Sequence, residues 1–263
     1  MNTLRKLRYL LIIPFFLTGT LLLNACESDA ADPGPGDAPS DSGKAGYLVG
    51  TVTDPQGNPL SRATVYTDNT VFKGRGAEVS TTANGTYQIL LVKDLGQWVA
   101  KGYLLKQYND RIYKISLHPE NPDSFSENEK PVRNFQWKLT GHVPDLSLDL
   151  YYGGTVELFR DPNVTDLDDN ENIEFTFTPV GPLIDGSTGK TLTLRMKKRY
   201  DSFLRDVPIG RYAITAVYKP TGEKLQVSDA FEGSEYASSV TVDFVGRESA
   251  TRANMLGIGY TNR

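Results

Sequence analysis

The chain has 263 residues, 39% of them hydrophobic and 23% charged, with a formal net charge of −4, two histidines and one cysteine. That length suffices for one large core or two ordinary ones, and the acidic balance without a basic cluster argues against nucleic acid as a partner. A lone cysteine excludes an intramolecular disulfide, so stability has to come from apolar burial and turn chemistry. Gly, Pro, Thr, Tyr and Val are plentiful and long runs at helical spacing are lacking, which predicts an all-β chain.

Residues 1–25 open with Arg5, Lys6 and Arg8, then an apolar run over 9–23 interrupted by Pro14 and Thr18-Gly19-Thr20. A spanning helix needs ~20 apolar residues. This run is shorter, so it reads as the h-region of a signal peptide. Leu23-Asn24-Ala25-Cys26 follows. These four residues resemble the lipobox of bacterial lipoproteins, with Asn24 as the less usual occupant. The resemblance implies cleavage between Ala25 and Cys26, and acylation of Cys26, with palmitate among the attached chains. An ordinary secretory signal beside a chance cysteine is the alternative.

Residues 26–45 hold the lipid-bearing Cys26 and an acidic tether. Glu27, Asp29, Asp32, Asp37 and Asp41 punctuate a Pro-, Gly- and Ser-rich stretch without large apolar residues. Such a stretch cannot offset its ordering entropy and is expected to be a flexible coil, with an end-to-end distance of roughly 22–26 Å. Glu27-Ser28-Asp29 resembles the export signal of Bacteroidota lipoproteins, which implies an outer-membrane, lipid-anchored protein facing the cell surface.

Residues 46–143 read as a first β-sandwich. Strands are expected over 47–53, 63–66, 78–82, 86–91, 98–103, 111–117 and 132–139. Asp54-Pro55-Gln56-Gly57 is a type I turn sequence, and Asn84-Gly85 is the strongest short hairpin signal. Tyr87, Ile89 and Leu91 alternate with Gln88 and Leu90 and face a core, as do Phe135, Trp137 and Leu139 opposite Asn134, Gln136 and Lys138. Gly50-x-Val52-x-Asp54-x-x-Gly57-x-Pro59-Leu60-x-x-Ala63-x-Val65, Asn84-Gly85-x-Tyr87-x-Ile89 and Ala100-x-Gly102-Tyr103 together resemble the carboxypeptidase-regulatory-like family. The resemblance covers residues 46–103. It implies a seven-stranded, transthyretin-like accessory sandwich without catalytic residues. The family's usual second Pro-Gly-x-Tyr step is absent, with Leu95-Gly96-Gln97-Trp98 near its place.

Residues 144–263 read as a second β-sandwich, giving two tandem Ig/transthyretin-like sandwiches. Strands are expected over 155–159, 173–178, 190–196, 211–218, 239–245 and 256–260. Turns are expected at 185–189 and 219–222. Pro208-Ile209-Gly210-Arg211-Tyr212 is similar to the missing step of the first domain.

No reaction chemistry emerges. His118-Pro119-Glu120 lacks the His-x-x-Glu spacing of a zinc site, and no Gly-x-Ser-x-Gly elbow is present. Asp166, Asp168 and Asn170 occupy the first, third and fifth positions of a calcium-loop pattern. Glu171 and Phe177 stand where an EF-hand needs Gly and Glu, which leaves an irregular calcium site or a solvated acidic turn. Trp98, Tyr108, Tyr113, Tyr151 and Tyr152 are either core or edge packing, or a platform for sugar rings. Lys197-Lys198-Arg199 reads as a charged hairpin end.

The expected function is therefore a non-catalytic outer-membrane lipoprotein presenting β-sandwiches to an envelope protein partner. Glycan capture is the alternative. A row of exposed aromatic rings would favour sugar, and a broad apolar patch would favour protein.

Overall fold

In a computed structural model, residues 43–144, 150–164, 167, 169–197 and 201–263 are described. Alternation of apolar and polar residues writes nearly every element. The first half has eight strands: β1 Tyr47–Thr53, β2 Thr64–Asn69, β3 Glu78–Ser80, β4 Thr86–Leu90, β5 Trp98–Tyr108, β6 Arg111–Ser116, β7 His118–Pro119 and β8 Phe135–Gln136. They form two four-stranded sheets, ordered β4-β1-β8-β7 and β3-β2-β5-β6. Leu48, Val52, Tyr87, Ile89 and Phe135 of the first sheet are buried, as are Val65, Trp98, Leu104, Tyr113 and Ile115 of the second. The count thus exceeds the expected seven by one, because β7 and β8 are separate two-residue strands.

The Asn84-Gly85 turn departs from its expected role. Gly85 adopts φ +71°, and Thr82 accepts the Gly85 N–H across the turn at 3.0 Å. Yet β3 pairs with β2, and β4 pairs with β1. The turn therefore carries the chain from one sheet to the other, and its flanks are not a hairpin ladder. Val52 donates its N–H to the Gly85 carbonyl at 2.8 Å, and a Cβ on Gly85 would lie 2.6 Å from the Val52 oxygen. The close approach of β1 is what demands glycine there.

The expected strand over 132–139 shrinks to β8, which runs parallel to β1 with Val52 opposite Phe135. Arg133 and Trp137 extend this pairing by donating to the carbonyls of Val49 and Thr53, both at 2.9 Å.

The second half contains β9 Gly154–Arg160, β10 Ile173–Pro179, β11 Leu192–Leu194, β12 Phe203–Val207, β13 Arg211–Tyr218, β14 Glu223–Asp229, β15 Val240–Asp243 and β16 Met255–Thr261. They join in the order β11-β10-β13-β14-β16-β9-β12, with β15 also on β13. β14 turns the corner: its first three residues pair with β13 and its last four with β16. A strand that changes partners along its length folds one sheet into two packed layers. Ile173, Phe175, Phe177, Tyr212, Ile214, Val227, Ile258 and Phe244 fill the space between.

The β5–β6 hairpin joins the halves. Tyr108 donates its hydroxyl to the Pro182 carbonyl at 2.9 Å and accepts the Arg211 N–H at 3.0 Å. Asn109 donates to the Asp243 carboxylate, which Arg211 also holds at 2.6 Å. Tyr113 and Arg111 both donate to the Phe244 carbonyl, at 2.7 and 2.9 Å. Burial of Tyr113 raises its phenol above the ordinary tyrosine range, so it stays a donor at neutral pH. Near the expected junction, β12 bulges at Asp206, whose φ is +65°. The bulge aims its carboxylate at the Gly141 and Gly153 N–H groups, at 2.8 and 3.2 Å.

Because Arg111 remains on the shared carbonyl, Tyr113→Phe should cost about 1 kcal/mol in urea unfolding. Removing both donors by Tyr113→Phe with Arg111→Ala should cost more than the two single losses added, since the carbonyl is then buried and unpaired.

Candidate functional site

Short polar side chains set the local geometry of the loop after β2. The Asn69 carboxamide accepts the N–H groups of Val71 and Phe72 at 3.0 and 2.8 Å, and donates to the Leu95 carbonyl at 2.8 Å. Asp68 accepts the Gly74 N–H at 3.1 Å. Asn69 is fully buried, so the loop is pinned at its root. With the loop held this way, its apolar residues stand outside the core. Val71 and Phe72 are 73% and 55% exposed, and across from them Leu90 and Val92 are 64% and 56% exposed.

Phe72, Leu90, Leu91, Val92, Leu95 and Trp98 line one open cleft of about 460 Å³. The loop also carries Lys73 and Arg75, both exposed, and Lys93 follows Val92. Trp98 is buried, and its indole N–H has no hydrogen-bond acceptor among the described residues. Glu127 is spent on structure, accepting the Asp94 N–H at 3.1 Å, and that bond holds its carboxyl below the ordinary range. The cleft can take apolar groups and has cations at its rim.

The other concavities are charged, and their charges are largely consumed. One of about 510 Å³ is bordered by Arg195, Lys197, Asp201, Arg205 and Asp206. There Arg205 pairs with Asp201 at 2.8 Å, Arg195 faces Glu174 at 3.9 Å, and Asp206 holds backbone N–H groups.

The residues singled out by sequence fall as follows. Ala25, Cys26 and the tether to residue 42 lie outside the described residues, as do Asp166, Asp168, Lys198 and Arg199. Asn170 lies on the single-turn helix Asn170–Asn172, half-buried, and its Oδ1 has no partner among the described residues. No three described His, Cys, Asp or Glu side chains are grouped to hold a metal ion.

His118 and Tyr152 meet at the joint, with Nδ1 3.0 Å from the phenol oxygen. Burial raises the Tyr152 phenol to about 12 and lowers the His118 imidazole. His142 instead stacks edge-on against Tyr151, with ring centroids 5.3 Å apart. Trp98, Trp137, Tyr113 and Tyr152 are buried, and Tyr108 is tied into the joint. None of these forms a platform for a sugar.

Sequence reasoning passed over another pair. Tyr66 and Tyr103 lie on the outer face of the β2–β5 pair, half-buried, with ring centroids 6.2 Å apart. Lys114 covers the Tyr103 ring at 4.2 Å. Alternation could have found both, because Val65 and Thr67 point inward around Tyr66, and Gly102 and Leu104 around Tyr103. The cleft carried a weaker signal, the adjacent apolar pair Val71-Phe72 in an otherwise Gly-rich loop.

No protein-family model and no curated protein sequence matches this chain. Among solved structures it is similar to the Bacillus anthracis TIE protein, at 14% identity over 81% of this chain and 34% of that one, with a TM-score of 0.31. It is also similar to a pilus adhesin of Lactobacillus rhamnosus GG, at 11% identity over 81% and 28%, with a TM-score of 0.26. A third is a B repeat unit of the collagen-binding surface protein of Staphylococcus aureus, at 12% identity over 82% and 97%, with a TM-score of 0.23. The chain spans about a third or less of the first two.

An open apolar cleft should bind a hydrophobic dye. We expect the parent chain to enhance anilinonaphthalene sulfonate fluorescence, and Leu90→Ser with Val92→Ser to remove most of the enhancement. Both side chains are largely exposed, so stability should change by only about 0.5 kcal/mol for each.

Proposed function

We propose that this chain is a non-catalytic outer-membrane lipoprotein, held by lipid on Cys26, whose β-sheet body serves protein–protein interaction as an accessory subunit of an envelope or nutrient-uptake complex. Where the surface chemistry lies supports this reading. The exposed apolar side chains of the cleft gather where the described chain begins. Tyr47 of β1 pairs with Leu90, and Gly46 accepts the Leu91 N–H at 3.0 Å. Several charged side chains elsewhere are engaged in structure: Arg205 pairs with Asp201, Arg211 with Asp243, and Asp206 holds backbone N–H groups. The resemblance of residues 46–103 to the carboxypeptidase-regulatory-like family, whose modules are accessory, is in keeping with this reading.

Labelling cells with radioactive palmitate tests the anchor. The parent chain should take up label and sediment with the envelope, and Cys26→Ser should do neither. From detergent-solubilised membranes the parent chain should bring down a membrane partner. Label retained by Cys26→Ser would overturn the reading.

One observation favours glycan capture as a second reading. The Tyr66–Tyr103 pair offers two aromatic rings on one sandwich face, with Lys101, Asp68 and Lys114 beside it. Under that reading the purified chain binds on a glycan array and Tyr103→Ala abolishes the signal. A blank array leaves protein interaction as the function.

A further inference from the structure

We infer that the cleft end of the first sandwich is a second membrane contact, with the 70–77 loop seated in the lipid headgroup layer. The inference rests on the reading of Cys26 as the anchor. Four large apolar side chains, Val71, Phe72, Leu90 and Val92, are more than half exposed, and Phe72, Leu90 and Val92 border one cleft. Water is a poor solvent for such a group, and a monomeric surface rarely leaves it uncovered. Lys73 directly follows Phe72, Lys93 directly follows Val92, and Arg75 lines the same cleft. Apolar side chains at a tip with cations immediately behind them match the layering of a bilayer, acyl boundary below and anionic phosphates above. Among the described residues none of Lys73, Arg75 and Lys93 is drawn into an ion pair within 4 Å, and Asp68 instead meets Lys101 at 3.9 Å.

Chain connectivity selects a bilayer as the occupant. The described chain begins beside the cleft, since Tyr47 pairs with Leu90 and Gly46 with Leu91. Residues 27–42 reach at most about 55 Å when fully extended, so an acylated Cys26 keeps the cleft within that distance of lipid. The joint lies at the other end of β5, which runs from Trp98 in the cleft to Tyr108 at the joint, about 33 Å along the strand. A bilayer against the cleft therefore leaves the second half unobstructed.

The test uses the full chain, acylated and reconstituted into vesicles of phosphatidylethanolamine and phosphatidylglycerol. An environment-sensitive fluorophore is placed at Phe72→Cys, at Val92→Cys, or at Thr221→Cys on the exposed β13–β14 turn. Labels at 72 and 92 should shift to the blue and be quenched by brominated lipid, and the label at 221 should do neither. Vesicle-bound chain whose labels at 72 and 92 behave like the one at 221 overturns the inference while leaving the anchor intact.

A second measurement keeps the two apart should Cys26 carry no lipid. The Cys26→Ser chain is mixed with the same vesicles, and its bound fraction should exceed that on phosphatidylcholine vesicles. Lys73→Gln and Arg75→Gln should each lower the binding by about fivefold. Equal binding to both vesicle types, or no effect of the two substitutions, overturns the inference whatever the state of Cys26.

Discussion

The Phe244 carbonyl and the Asp243 carboxylate are the acceptors on which the described architecture turns. Arg111 and Tyr113 converge on the first, Asn109 and Arg211 on the second, and all but Arg211 come from one hairpin of the first half. Charge-assisted and buried hydrogen bonds of this kind are directional, so they fix orientation as well as distance. Apolar contact alone would let two sheet-built bodies slide. The pairing of donors to particular carbonyls forbids this, and it makes β5 a continuous link between cleft and joint.

At the far end of that link the physics reverses. Donors and acceptors of the loop after β2 are satisfied at its root by Asn69, while its apolar side chains are left in water. Ordering a loop so that it displays Val71 and Phe72 costs solvation free energy that a different rotamer or a looser root would recover. The same geometry places the apolar tip and the joint at opposite ends of β5.

Much of the fold was legible in the residues. β10 and β13 follow from alternation, and the all-β class follows from composition and turn residues. β12 and β14 were missed for physical reasons. β12 is short and bulged at Asp206, which breaks the period that alternation depends on. β14 places Leu225 and Val227 inward among Glu, Lys, Gln and Ser, and serves two sheets at once, a task that no local pattern encodes. The Asn84-Gly85 turn was correctly located yet wrongly assigned, because a turn sequence sets local backbone angles and says nothing about which sheet receives the next strand. The cleft was illegible for a related reason. Val71 and Phe72 look like core residues until Asn69 is seen holding the loop outward. Tyr66 and Tyr103 could have been read from the period of two, since their inward neighbours are plain.

β5 also has a mechanical consequence. It is hydrogen-bonded along one flank to β2 and along the other to β6, with the joint at one extremity and the cleft at the other. Tension applied to the distal half would load these ladders lengthwise, where many bonds must slip together, rather than peeling them one by one. A pull applied between the two extremities would thus meet little give.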